Sequence, residues 1–461
     1  MTSKNRLVNF PLYTIGDLSS GIYGIGPAIL LMFYMTNVLG IPVAIATVAA
    51  SLPKFLDLIF SPFIGSWSDR TSTRMGRRRP YLLASAILIF PLFLGIWAAP
   101  FKDPLLSACF IAVTYTACSF CYAAFLVPYC ALNSEITTTY NDNSVLNSYR
   151  ASYSMMGCLL AGAGAPMIVE HFGGSRTGYA AMGISLAGIM CVSMLITFFA
   201  SKEPIRTTIT EKIPLRDTLR AIVGNRPFSY LTSTYILHMI AGGIVSASLA
   251  YFVTYVLGKD VSTVASIFFL SFAVSIATIP IFLAVGKKAG KHATFTSAYV
   301  IAVFASLGFA SLDHQSSMLH IYAVGAFAGL AEGAIQAFGY AMLSDCIRHG
   351  DSRQGALLSG VFIAGEKTAL AIGAVVAGSV LSISGLIETE DGSIAQPDSA
   401  ISGIRMAVVM LPIVLNILGA LLFIKYRTFD TRIAQQDAEN QLKEAALTAI
   451  TSEPALANSK L

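Results

Sequence analysis

The chain has 461 residues, of which 55% are hydrophobic and only 12% charged, with a net charge of +5 and a mean hydropathy of +0.68. Soluble domains carry roughly 25% charged residues, so this composition excludes an ordinary soluble globular protein and leaves no room for a separate catalytic domain. The basic residues sit in short loops between apolar runs and form no basic face, so no nucleic-acid partner is expected.

A helix that crosses a bilayer needs about 20 mostly apolar residues. Twelve such spans are predicted, at 15–39, 43–67, 80–99, 104–132, 144–171, 177–200, 227–257, 261–286, 292–311, 317–345, 355–385 and 401–426. The first run is too long, and wrongly flanked, for a cleaved signal. An even count places both termini on one side. Lys4, Arg6, the 68–79 loop, the 201–226 loop, Lys287, Lys288, Lys291, Arg348 and Arg353 all fall on that side. The opposite loops hold little positive charge and include Glu388, Glu390, Asp391 and Asp398. The excess of Lys and Arg marks the cytoplasmic side, so a multi-pass protein of the inner (plasma) membrane with cytoplasmic termini is expected.

In chain order, the first polar group inside a span is Asp17, which either caps the helix start or reaches a ligand. Lys54 and Asp57 follow in the second span, three residues apart, so they share a helix face and can pair. An ionisable pair in lipid is expensive and reads as a functional site, here for a proton or cation. The next loop carries Arg70, Arg74 and Arg77–Arg79 against Asp69. Asp69, Arg70 and Arg77 read as a brace for the cytoplasmic helix ends, with Asp345 and Arg348 in the same role further on. Arg150 and Lys367 supply donors from spans five and eleven. Lys367 adjoins Glu366, but adjacent helical residues do not face one another, so it needs another partner. Glu332 and Gln336, four apart in span ten, share a face and read as ligand contacts. His238 in span seven reads as a histidine hydrogen-bonded within the bundle. The seven cysteines lie almost entirely in apolar segments, and the Cys118–Cys121 spacing carries no redox or metal assignment.

Residues 201–226 form the longest internal hydrophilic stretch and divide the spans six and six. The expected organisation is a six-helix bundle over 1–200, a cytoplasmic loop over 201–226, a second bundle over 227–426 and a cytoplasmic tail over 427–461. The halves are weakly alike: Tyr129–Glu135 ends span four much as Tyr340–Asp345 ends span ten, and both second-position spans are followed by basic loops. Two similar halves around a midplane site describe an all-α membrane protein of the major facilitator fold.

Several motifs carry a closer resemblance. Gly16-Asp17, Thr36–Gly40, Asp57–Pro62, Pro128–Leu132, Leu146–Arg150, Met342–Asp345 and Lys367 stand in the order and on the spans where they occur in one family. The chain resembles the glycoside–pentoside–hexuronide:cation symporters, the melibiose-permease-like branch of the major facilitators. That resemblance implies substrate binding by Asp17, Arg150 and Lys367, and cation coupling in span two. The family's second span-two carboxylate is Ser61 here, and Leu126 and Cys130 stand where the melibiose permease has an aspartate and a tryptophan. Gly76–Tyr81 resembles the plant and animal sucrose transporters, which use protons.

The expectation is therefore a monomeric transporter without cofactor or enzymatic activity. It would move a sugar or glycoside with a cation, H+ in preference to Na+. The alternatives are transport of a lysolipid or amphiphilic glycoconjugate, or a membrane receptor or scaffold that transports nothing. No nucleophile–base or metal-ligand motif supports an enzyme.

Overall fold

The computed structural model describes residues 9–136, 140–201, 225–348, 355–388 and 395–426, with a few helical side chains inside these ranges left out. Among the described residues, twelve helices are long and apolar enough to cross a membrane. They are α1 Phe10–Asn37, α2 Val43–Gly65, α3 Arg79–Trp97, α4 Pro104–Asn133, α5 Val145–His171, α6 Arg176–Ala200, α7 Arg226–Val256, α8 Ser262–Gly286, α9 Lys291–Ala310, α10 Met318–Leu343, α11 Leu358–Ile383 and α12 Asp398–Ile424. In lipid every backbone group must be satisfied internally, and a helix does this within one segment. The predicted spans match these helices to within a few residues. The long loop and the tail predicted from composition lie outside the described residues.

The first helix differs from expectation. It begins at Phe10 and breaks between Thr14 and Asp17. The hydroxyl of Thr197 on α6 bridges the break: Gly16 N donates to it (2.8 Å), and it donates in turn to Tyr13 O (2.9 Å). A Cβ at position 16 would lie 2.5 Å from that hydroxyl, which accounts for the glycine in the Gly16-Asp17 motif. Of the two readings of Asp17, the cap is not formed; its carboxylate points to a neighbouring helix.

Within each half one close helix crossing is built on paired glycines. A Cβ on Gly157 of α5 would sit 2.2 Å from Leu18 O and 3.1 Å from the Cα of Gly21 on α1. In the second half, a Cβ on Gly373 of α11 would sit 2.4 Å from Ile240 O and 2.8 Å from the Cα of Gly243 on α7. Small residues let helix backbones approach in membranes, where packing replaces the hydrophobic drive. The α1/α5 and α7/α11 crossings occupy equivalent places, so the weak sequence repeat corresponds to a structural one.

Three helices contain a π-type turn: Leu160–Gly164 in α5, Phe252–Val256 in α7 and Met406–Met410 in α12. Such turns bend a helix locally. The basic loop after α2 turns at Gly76, whose φ is +108°. Arg78 is buried behind it, and the Arg79 guanidinium lies 4.9 Å from the ring centre of Phe198 on α6. This loop is thereby tied to the α6 end.

The crossing yields a stability test. Gly157→Ala places a methyl against backbone that cannot yield and should destabilise the protein by about 1–3 kcal/mol, the usual cost of overpacking. Gly188→Ala on α6, with nothing within 4 Å of the new methyl, should be neutral. Thermal unfolding of the two variants in detergent, compared with wild type, checks the difference.

Candidate substrate and cation site

The ionisable groups predicted from sequence fall into three clusters. The first lies in the N-terminal half. Asp17 of α1 is 5% exposed and forms a two-pronged ion pair with Arg150 of α5, Nε to Oδ2 at 3.0 Å and Nη2 to Oδ1 at 3.3 Å. Tyr129 of α4 donates its hydroxyl to Oδ2, and the Arg150 guanidinium lies 5.1 Å from the centre of that ring. Arg150 Nη2 also reaches the Cys130 sulfur at 3.4 Å. In the amide orientation its neighbours require, Asn133 Oδ1 accepts from Arg150 Nη1 (3.1 Å) and its Nδ2 donates to the Tyr13 hydroxyl (2.7 Å). Bidentate pairing fixes the planar guanidinium and carboxylate together. Asp17 and Arg150, both read as ligand contacts, here hold each other.

The second cluster joins the halves. Lys367 Nζ of α11 lies 3.7 Å from Asp57 Oδ2 of α2. Lys367 keeps 47% of its side chain accessible, so solvent or a ligand can reach the pair. The expected pairing of Asp57 with Lys54 is not formed. Lys54 sits one turn earlier on the same helix, but the packing of α11 against α2 brings a lysine from the other half to Asp57. Lys367 does find a partner other than Glu366, as the adjacency argument requires. Glu366 accepts from the Tyr340 hydroxyl at 2.8 Å.

The third cluster lies in the C-terminal half. Glu332 accepts from Gln336 Nε2 at 2.7 Å through Oε1, and its Oε2 is 3.1 Å from His238 Nε2 of α7. His238 Nδ1 is 2.8 Å from Asn416 Oδ1 of α12. Glu332, Gln336 and Tyr340 follow one another four apart on α10. Glu332 keeps 36% of its side chain accessible.

Sequence reasoning missed Tyr129, His238 and Asn416 as site members. Tyr129 stands inside a quoted motif and could have been drawn from it. His238 was read as bundle-bonded, and Asn416 gave no signal in a strongly apolar span. Of the expected brace residues, Arg70 is exposed and Arg77 is partly buried. The side chains of Asp69, Asp345 and Arg348 lie outside the described residues.

The halves also meet at the bundle end opposite the basic loop. There Thr36 Oγ1 and the Tyr251 hydroxyl are 2.6 Å apart, Asn37 donates to the Tyr255 hydroxyl, and Val43 N donates to Glu388 (3.0 Å). Gly378 packs so closely on α2 that a Cβ there would fall 1.8 Å from Thr47 Oγ1. A cavity of about 750 Å³ lies elsewhere, between α2, α3 and α4. Its walls are mostly apolar, with Leu56, Phe60, Leu88 and Phe120 among them, and include Ser85 and Thr116.

Twelve crossing helices among the described residues, in two six-helix halves with paired charges inside the spans, give the architecture of a major facilitator transporter. The chain belongs to the family described as MFS/sugar transport protein, whose model matches residues 12–428. Its curated relatives include the isoprimeverose transporter of Lactiplantibacillus pentosus, 26% identical over 94% of this chain and 92% of the relative. The inner membrane symporter YicJ of Escherichia coli is 25% identical over 91% of both chains. The glucuronide carrier protein homolog of the same organism is 23% identical over 95% of this chain and 97% of the relative. These relatives accord with the glycoside–pentoside–hexuronide:cation symporter resemblance. Among solved structures, the fold is shared with the nucleoside transporter NupG (D323A mutant), at a TM-score of 0.65 and 12% identity over 91% of this chain and 100% of that one. It is also shared with a bacterial homolog of the human lysosomal transporter Spinster in an inward-facing, unoccupied conformation, at a TM-score of 0.64 and 13% identity over 92% and 96%. The protein is a multi-pass inner-membrane transporter.

The far-end contacts give a second prediction. Gly378→Val should wedge α11 off α2 and part the halves at that end. In a background lacking the native cysteines, a cysteine placed at Thr36 should then react faster with an aqueous maleimide than in the Gly378 parent. An unchanged rate would mean that this packing does not close the bundle.

Proposed function

We propose that this chain is a cation-coupled symporter of a sugar or glycoside, with a proton as the coupling ion carried at Asp57. The observation that carries the reading is the Asp57–Lys367 ion pair between the halves. A carboxylate that bonds a lysine of the opposite half makes its protonation state part of the contact between halves. Protonated, it releases Lys367; ionised, it draws α11 to α2. Asp57 already faces one ammonium, and Ser61 and Leu126 stand where further carboxylates would serve a sodium cage. Sodium prefers several oxygen ligands, whereas a proton needs one.

Asp17, Arg150, Glu332, Gln336 and Lys367 are proposed to bind the substrate. Carboxylates accept sugar hydroxyls two at a time and the cations donate to ring or hydroxyl oxygens. Support for the substrate class comes from the printed names of relatives that carry isoprimeverose and glucuronides. With the basic loops on the cytoplasmic side, the closed far end is the outer one. Lys54 would assist Asp57 only in a different arrangement of α2 and α11.

The test is uptake into proteoliposomes of isoprimeverose, a phenyl glucuronide and lactose, under imposed proton or sodium gradients. Uptake of at least one should rise as external pH falls and ignore sodium. Asp57→Asn should abolish uphill accumulation while leaving exchange between equal pools largely intact. Sodium-driven, pH-independent uptake overturns the proton assignment, as does an Asp57→Asn protein that still concentrates its substrate.

A further inference from the structure

We infer that the His238–Glu332 pair is a second proton-binding site, placed wholly in the C-terminal half. Asn416 fixes which ring nitrogen carries a hydrogen. Its Nδ2 donates to the Pro412 carbonyl at 2.8 Å, a group that can only accept, so its Oδ1 is the atom facing His238 Nδ1 at 2.8 Å. Amide oxygens accept and do not donate. Nδ1 therefore carries a hydrogen. The other ring nitrogen, Nε2, stands 3.1 Å from Glu332 Oε2. A neutral ring with its hydrogen on Nδ1 would direct a lone pair at a carboxylate lone pair. One proton must lie between them, on the ring or on the acid.

The surroundings keep that proton in place. His238 is 7% exposed, and its ring meets the Tyr299 ring edge-on with centroids 5.8 Å apart. Tyr299 gives its hydroxyl to Thr234 O at 3.1 Å, so it offers the imidazole no competing donor. The further titratable groups around the cluster are Tyr235 on α7, Tyr340 on α10 and Glu366 on α11, and Glu366 is engaged by Tyr340. Gln336 fills one site on Oε1 and leaves each carboxylate oxygen a further acceptor position. A proton at this site holds Glu332 in one orientation toward the space its accessible face opens on. Its loss leaves two lone pairs opposed and releases the carboxylate. Asp17 and Asp57 differ, since each faces the side chain of an arginine or a lysine and no imidazole. The assignment does not depend on Asp57 carrying the coupling ion.

Nitrogen-15 NMR of the full-length protein labelled at histidine, in lipid, reads the site directly. The His238 signal is identified by its disappearance in His238→Gln. Between about pH 5 and 8, where an unperturbed histidine titrates, wild type should show an imidazolium. Alternatively it should show a ring neutral at Nε2 together with a protonated-carboxyl infrared band that Glu332→Gln removes. Glu332→Gln should convert an imidazolium into a neutral ring with its hydrogen on Nδ1. Asp57→Asn should leave the His238 signal unchanged, which separates this site from the one proposed for coupling. A neutral ring with its hydrogen on Nε2, or a neutral ring with no carboxyl band, would overturn the inference.

Discussion

A carboxylate inside an apolar layer must find a donor, because isolated charge there is costly and few water molecules share the burden. Every mid-span acid in this protein with a described side chain has met that demand, and the way each does so shapes the bundle. Asp17 is satisfied inside the first half by Arg150 and Tyr129. Glu332 is satisfied inside the second half by His238 and Gln336. Asp57 alone takes its cation from the opposite half, as Lys367. Breaking a buried pair by removing one partner commonly costs about 3–5 kcal/mol, though the accessible Lys367 must lower that figure here. The pair is therefore strong enough to bias how the halves sit and exposed enough to be broken within a transport cycle.

Much of this was readable from the sequence, for physical reasons that differ by feature. The number and limits of the spans follow from length and hydropathy, since the bilayer imposes a nearly fixed thickness. The Glu332–Gln336 contact follows from helical periodicity, which operates within one segment. Adjacency likewise ruled out Glu366 as the partner of Lys367. What sequence could not supply was the identity of partners on other helices. Lys54 was a sound candidate for Asp57 by spacing, but α11 packs against α2 and delivers Lys367. Asp17 stood open between a cap and a ligand contact; the Thr197 hydroxyl on α6 bridges the helix break, and the carboxylate goes to Arg150. Asn416 sits in the most apolar of the spans and shows its purpose only when α12 packs beside α7.

The halves resemble each other in backbone and differ in chemistry. Glycine pairs set the α1/α5 and α7/α11 crossings alike. The polar groups built on those crossings are unlike: a permanently charged guanidinium in the first half, and in the second an imidazole whose charge depends on a proton. Arginine does not lose its proton in a protein. A repeat that began symmetric would thus have placed a fixed charge on one side and a titratable one on the other. The two halves thus offer a bound ligand charges of different kinds on one scaffold.

The closed end sets how much free energy its opening needs. It is held by the Thr36–Tyr251 and Asn37–Tyr255 hydrogen bonds, the Glu388 bond to Val43 N, and the contact of Gly378 with Thr47. Two of the bonds join neutral groups, worth about 0.5–1.5 kcal/mol each, and the third is charge-assisted at about 1.5–3 kcal/mol. Together with the packing they amount to a few kcal/mol. A ligand can shift a two-state equilibrium only by its differential affinity for the two states, and about 5.5 kcal/mol carries such an equilibrium from 1:99 to 99:1. A closure made mainly of neutral hydrogen bonds lies within reach of that quantity. A closure of buried ion pairs would have exceeded it and fixed the transporter in one state. The ionic contact between the halves instead lies at mid-span, where Lys367 keeps nearly half of its side chain accessible.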